Sequence, residues 1–321
     1  SNCSKPLASL SLDLDNQWSY MKTHGDSGWE DFPTYLDILI PYVLDTLDRL
    51  NLKITFFIVG QDAALDENKD VLKLLTKRGD EVGNHSFHHE PWLHLYSKDR
   101  IRSEILETEE HILRLTEQKP VGFRGPGFSW SKDLLEALFE NGYMYDASTM
   151  HTFLGPVARA FYFRNPNLST EEKNKRKEIL GGFREGIKPI KAYYWELPSK
   201  EKLLEVPVTT TPIIKTPFHM SYLLFLSQFS ISIMLLYLKI ALIMCRLTLT
   251  EPSFVIHPTD LLGGEQVPAM RFFPGMDLSA YRKLEIFERV IKELSRHFTL
   301  VNIRFHAESI LQRNHLKVVQ L

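Results

Sequence analysis

Short apolar runs rich in β-branched and aromatic residues, at 7–12 and 54–59, alternate along this chain with amphipathic patterns at 35–50 and 71–77. That is the spacing of βα units that build a parallel sheet. The alternation continues through a helix predicted over 99–116, a short strand at 121–123, a helix at 132–140 and a strand at 143–145. Further strands are predicted at 203–208, 254–256 and 298–303, with a helix at 281–296 between the last two. The pattern predicts an α/β fold whose parallel strands close, or nearly close, into a barrel.

Two stretches break the βα rhythm. Residues 157–191 are rich in charge, with Ser169-Thr-Glu-Glu172 resembling a helix start and Gly181, Gly182 and Gly186 breaking the residues after it. They read as an inserted lid-like segment or as an ordinary solvated excursion. Residues 216–250 are unusually apolar: no Gly or Pro lies between Pro217 and Pro252, and from Met220 to Cys245 the single formal charge is Lys239. As one helix, this stretch would be capped by Thr216 with Pro217 at its first position. Ser221, Gln228, Ser232 and Lys239 then share one narrow stripe, and the rest of the circumference is apolar. The readings are a long buried helix or a helix pair broken near Phe229-Ser230, an exposed platform touching a membrane surface or a lipid tail, or a membrane span. A span would put parts of one domain on opposite sides of a bilayer.

At 321 residues the chain is long enough for one large α/β domain or two smaller ones, and we read it as a single domain over 1–321 that includes the insertion 157–191 and the apolar helical segment 216–250. A formal charge of −2 gives no basic field, so composition offers nucleic acid nothing to bind. Cys3 and Cys245 suggest neither a disulfide framework nor a thiolate cluster, which fits a reducing compartment. No signal-peptide pattern opens the chain, which starts at Ser1 rather than Met, as a trimmed N-terminus would. The expected location is the cytoplasm or the cytoplasmic face of a membrane.

The chemistry concentrates in few places. Gly83-Asn-His-Ser-Phe-His-His-Glu-Pro-Trp92 puts His85 and His89 four residues apart behind a short strand, far downstream of Ser11-Leu-Asp-Leu-Asp15. Imidazole suits zinc and its first-row neighbours, and three protein ligands leave positions open for water or substrate, the mark of a catalytic metal. Asp13 and Asp15, at i and i+2, share one face of a strand. Two carboxylates so placed repel unless a cation sits beside them, and one metal ligand plus one general base relieves that tension. The plainer alternatives are a solvated His-rich loop and a pair of solvated acids.

Taken in order, Asp13-Leu-Asp15, His85-Ser-Phe-His-His89, Phe123-Arg-Gly-Pro126 and Val255-Ile-His257 resemble the motifs of the polysaccharide deacetylase family, also called NodB-homology or carbohydrate esterase 4, over about 10–303. The resemblance implies a distorted parallel (β/α) barrel that removes N- or O-acyl groups from carbohydrates with one divalent metal. Zinc is the expected ion, with cobalt, nickel or manganese as substitutes. It further implies Asp13 as general base, Asp15, His85 and His89 as metal ligands, Arg124 as the partner of the base, and His257 as general acid, with His88 off the metal.

The likeness has departures. The first motif is Asp-Leu-Asp where adjacent aspartates are commoner, and Gly127 stands where an aromatic often follows Arg-x-Pro, with Phe128 offset by one. The segment Leu204-Glu-Val-Pro-Val-Thr-Thr-Thr-Pro212 resembles deformylases of lipid-linked aminoarabinose. The implied function is removal of an acetyl or formyl group from an amino sugar in a glycan or lipid-linked saccharide, with peripheral membrane contact through 216–250. The alternatives are a cyclic amide or imide hydrolase of the same fold and a catalytically silent glycan- or lipid-binding module.

Overall fold

The computed structural model describes residues 4–153 and 188–321, and ten strands of this part form one sheet. The strands are β1 (Leu7–Asp13), β2 (Thr55–Ile58), β3 (Glu81–Asn84), β4 (Gly122–Phe123), β5 (Tyr145–Asp146), β6 (Tyr193–Glu196), β7 (Lys202–Glu205), β8 (Ser253–Ile256), β9 (Thr299–Val301) and β10 (Val318–Gln320). They run in the order β10-β6-β7-β5-β4-β3-β2-β1-β8, with β9 also pairing to β1. All these pairings are parallel except β6 with β7. Just past β7 the Thr209 N–H donates to the Ser253 carbonyl at 3.0 Å, and the Ser253 N–H donates to Thr209 Oγ1 at 2.8 Å. Thr209 thereby joins the β7 side of the sheet to β8, and the path from β8 through β1 to β7 curls into a nearly closed barrel.

Alternation along β1 separates two environments. Ala8, Leu10 and Leu12 enter a core shared with the surrounding helices, whereas Ser9, Ser11 and Asp13 point the other way and are also buried. That inner face is polar but paired: Ser9 Oγ donates to Ser253 Oγ at 3.0 Å and also meets His306 Nδ1 at 2.8 Å, and the Tyr145 hydroxyl donates to Glu81 at 2.8 Å.

Ten helices surround the sheet among the described residues: α1 (Gln17–His24), α2 (Leu36–Arg49), α3 (Gly60–Ala64), α4 (Lys69–Lys77), α5 (Lys98–Thr116), α6 (Lys132–Glu140), α7 (Met220–Ser227), α8 (Ile231–Leu247), α9 (Ala280–His297) and α10 (Ile303–Leu311). Their starts follow ordinary capping chemistry, since Ser97, Ser131, Ser230, Ser279 and Asn302 each accept a backbone N–H of the first turn. Helices α2, α4, α7, α8 and α9 bury their apolar faces on one flank, while α5 and α6 cover another around Phe123 and Trp195. The start of α10 enters the barrel: Ile303, Ala307 and Ile310 pack with Phe57 and Tyr145, and the Ile303 and Arg304 N–H groups donate to Thr55 Oγ1 and Glu81.

The apolar stretch 216–250 forms the helix pair broken near Phe229-Ser230, one of the readings open from sequence, and not a single long helix. Thr216 does not cap it, because its hydroxyl is held by Thr211 and Tyr237 and Pro217 bridges back to Thr210, so α7 starts three residues later with His219 at its N-cap. The first helix ends at Ser227, and Ser230, in extended backbone with φ −166°, caps the second. No helix among the described residues is long and apolar enough to cross a membrane. The strand expected at 298–303 stops at Val301, because Asn302 caps α10. Strands β6 and β10 had no clear sequence pattern. The lid-like segment expected at 157–191 lies outside the described residues except for 188–191.

Gly122 shows how tightly the barrel interior is filled: a Cβ there would lie 2.0 Å from Cζ of Tyr145, whose hydroxyl is anchored on Glu81. Gly122→Ala is expected to destabilise the protein by about 1–3 kcal/mol through overpacking, lowering the urea midpoint with little change in slope. An unchanged midpoint would show that the interior can yield.

Candidate metal centre and active site

The four motif regions meet at one end of the barrel because each ends or follows a parallel strand at its C-terminal edge. Asp13 closes β1, His85 follows β3, Arg124 follows β4 and His257 follows β8. The register places them at neighbouring heights, with Leu12 opposite Ile256, Asp13 opposite Phe57 and Asn84 opposite Phe123. The ladder runs on past the strands through His85 N–H to the Ile58 carbonyl and Arg124 N–H to the Asn84 carbonyl, both at 3.0 Å. These side chains therefore stand on rigid backbone, at the end of the barrel where parallel-sheet sites collect.

Asp15, His85 and His89 offer one carboxylate oxygen and two imidazole nitrogens within 4.8 Å of one another. Asp15 Oδ1 lies 3.1 Å from His85 Nε2 and 2.7 Å from His89 Nε2. His85 Nδ1–H donates to the Arg124 carbonyl at 2.6 Å, which leaves Nε2 as the nitrogen facing the cluster. His89 reaches inward from a backbone with φ 53°, and the Tyr35 hydroxyl donates to the Asp15 carbonyl. The set fits a divalent metal in donor type, number and convergence: two neutral nitrogens and one carboxylate oxygen leave coordination positions open.

The electrostatics call for positive charge here. Burial of Asp15 favours its neutral form, but His89 and His85 outweigh that and hold its carboxyl well below the ordinary range. Burial likewise opposes charge on Asp13, yet Arg124, then His257 and His85, bring it down to about 2. Arg124 Nη1 donates to Asp13 Oδ1 and to Ser11 Oγ, both at 2.8 Å, and its Nε donates to the Ala147 carbonyl at 2.9 Å. The guanidinium also lies over the Phe57 ring at 4.6 Å.

His257 Nε2 lies 3.5 Å from Asp13 Oδ2. Burial disfavours its charged form, but Asp13, Asp15 and Asp260 outweigh this and raise it to about 9. Its backbone N–H donates to Asp260 Oδ2 at 2.8 Å, and Ser221 Oγ, from the first turn of α7, donates to Asp260 Oδ1 at 2.7 Å while lying 3.3 Å from His257 Nδ1. The loop after His257 is held by buried Lys283, which donates to the carbonyls of Thr259 and Leu262 at 2.7 Å.

The residues singled out by sequence thus gather in one place, and His88 stands apart, paired with Glu104. Four further residues at the site were not singled out from the sequence: Ser221, Asp260, Tyr35, and Tyr20, whose hydroxyl donates to Asp15 Oδ2 at 3.4 Å. The sequence signal for Asp260 was His257-Pro-Thr-Asp260, an acid three residues after an N-cap with proline at the first position, but Ser221 lies 36 residues from His257 and carries no local mark.

The family model of polysaccharide deacetylases matches residues 26–145, a span that includes His85, His89 and Arg124 but not Asp13, Asp15 or His257. A peptidoglycan deacetylase from Helicobacter pylori is 25% identical over 198 residues, 59% of this chain and 66% of its own. A peptidoglycan-N-acetylglucosamine deacetylase from Bacillus cereus is 35% identical over 86 residues, 27% of this chain and 30% of its own. The chain therefore spans less than two thirds of the length of these relatives. Among solved structures, a candidate polysaccharide deacetylase from Mycobacterium smegmatis covers 99% of this chain and 96% of that chain with a TM-score of 0.58 at 15% identity, which shows a shared fold, the NodB-like (β/α) barrel.

After incubation with zinc and removal of the excess, elemental analysis is expected to find about one equivalent per chain, lost in both His85→Ala and His89→Ala. Equal retention by the wild type and both variants would remove these residues as ligands.

Proposed function

We propose that this chain, which resembles the polysaccharide deacetylases over residues 26–145, is a member of that family and a metal-dependent hydrolase that removes an N-acyl group, acetyl or formyl, from an amino sugar. The observation that carries this reading is the meeting of two groups at one barrel mouth: the Asp15, His85, His89 cluster, and Asp13 held between Arg124 and His257. The peptidoglycan deacetylases similar to this chain make an N-acetylated glycan the first substrate to try.

Asp15, His85 and His89 would hold the ion, zinc by preference. When bound it would supply Lewis acidity, polarising the acyl carbonyl and making a water easier to deprotonate. Asp13, kept ionised and oriented by Arg124, takes the proton of the attacking water. His257 carries the proton that the departing amine needs, and its raised pKa keeps that proton in place at neutral pH. Ser221, 3.3 Å from His257 Nδ1, and Asp260, which accepts the His257 backbone N–H, are positioning residues for His257.

A second reading concerns the carrier of the sugar. The helix pair beside the mouth exposes aliphatic and aromatic side chains, including Phe225 and Phe229, which favours a substrate presented at a membrane, such as a lipid-linked saccharide.

Asp13→Asn is expected to retain the metal while reducing acetate release from N-acetylglucosamine oligomers by at least about 10²-fold, the usual scale for loss of a general base; retained turnover would take Asp13 out of that role. If no acylated amino sugar is hydrolysed by metal-loaded protein while a cyclic imide is opened, the imide hydrolase reading replaces this one, and if neither reacts, a silent binding module does. As a proton donor, His257 must be protonated, so activity is expected to fall as pH rises through its pKa, above the ordinary histidine range. Asp260→Asn removes a charge that holds the proton and should move that basic limb to lower pH. An unmoved limb with intact metal binding would make Asp260 structural only.

A further inference from the structure

Helix α8 has two apolar faces. Met234, Leu238, Ala241, Leu242 and Cys245 are fully buried against the core. At about 100° per residue, Ile233, Leu236, Ile240, Ile243 and Leu247 fall within an arc of about 80° on the opposite side. These five face water: Leu236 is 58% and Leu247 79% exposed. Phe229, 75% exposed between the two helices, and Phe225, packed edge-on against it at 5.4 Å, add aromatic surface on α7. A soluble face has no reason to carry an uninterrupted aliphatic stripe over four turns, and such a patch marks an interaction surface.

Charge narrows the partner. Lys239 and Arg246, both exposed, flank one edge of the stripe, and the sequence contains no Asp or Glu between Glu205 and Glu251. A second copy of this chain packed symmetrically across α8 would bring these cations towards one another with no carboxylate from the segment to pair them. An anionic bilayer offers what the surface lacks: acyl chains for the stripe and phosphate headgroups for the cations. With its inner side in the protein core, α8 would lie in the interface plane, about 25 Å long.

We propose that the α7–α8 face docks on an anionic membrane surface, with the Ile233–Leu247 stripe inserted and Lys239 and Arg246 at headgroup level. The placement matters because α7 joins this face to the site. Ser221 bonds to Asp260 beside His257, and Phe225 stands one turn further along the same helix. A docked protein would therefore hold its barrel mouth at the membrane, where a lipid-linked saccharide is presented. The inference deepens that reading of the substrate, but the docking itself does not depend on turnover.

The test is co-sedimentation of the full chain with vesicles of phosphatidylcholine, with and without phosphatidylglycerol, alongside light scattering of the free protein. The expected result is binding to anionic vesicles, reduced at least about tenfold in Leu236→Glu/Ile240→Glu, and reduced in Lys239→Glu/Arg246→Glu on anionic vesicles only. Both substituted pairs are exposed, so the variants should keep wild-type circular dichroism and wild-type release of acetate from a soluble acylated amino sugar. Absence of vesicle binding, or equal binding by the wild type and both variants, would overturn the proposal. So would a wild-type dimer that Leu236→Glu/Ile240→Glu dissolves without any vesicle binding, which would assign the face to a second copy. Vesicle binding without acyl release from any substrate would uphold the docking surface and overturn the deacylase reading instead.

Discussion

The site depends on one buried side chain. Arg124 is fully enclosed, and a guanidinium taken out of water is tolerated only where its charge and donors are met. Asp13 supplies the countercharge, Ser11 and the Ala147 carbonyl accept from Nη1 and Nε, and the face of Phe57 covers the group, while Nη2 has no hydrogen-bond partner among the described residues. The same residue acts through its backbone, since its carbonyl fixes His85 Nδ1 and so decides which imidazole nitrogen faces Asp15. One position just past β4 thereby sets the ionisation of the candidate base and the orientation of a candidate ligand. Removing one partner of such a buried pair typically costs about 3–5 kcal/mol, because the other charge is left stranded.

Around this pair the barrel mouth concentrates opposite charges at close range. Asp13 and Asp15 project from one strand end, where their mutual repulsion would ordinarily protonate one of them. Both are instead held ionised, Asp13 by Arg124 and His257, and Asp15 by the two imidazoles that could share a cation with it. Behind them Asn16 and Trp18 both donate to Asp62 at 2.9 Å, and burial raises that carboxyl to about 7. This contact fixes the turn out of β1, so the backbone carrying Asp15 is held from outside as well as inside the mouth.

The helix pair after β7 links this chemistry to the protein surface. Its buried side belongs to the main core, its first turn delivers Ser221 to His257 and Asp260, and its outer side is apolar in water. Neutral His219, lowered to about 3 chiefly by burial and then by the neighbouring His257, occupies the N-cap position of the same helix. The segment is thus part of the wall of the mouth, not an appendage to the barrel.

The α/β alternation is legible in the sequence, because strand and helix periods are local properties of 4–16 residues, and the sequence also marks Asp13, Asp15, His85, His89, Arg124 and His257 as candidates through short motifs that end apolar strands. It records the excess apolarity of 216–250 as well and offers a break near Phe229-Ser230, without deciding between one helix and two. A wheel drawn through the whole stretch cannot see that Ser230 turns extended and restarts the helix, since both states use the same residues. Which residues meet is set by packing between distant parts of the chain. Strand register brings Asp13 level with His257 across 244 positions of chain, and β6 and β10 exist by pairing with neighbours rather than by pattern. Ser221 reaches His257 because α7 packs beside β8, a contact between surfaces distant in sequence, and no local pattern of residues encodes such a contact.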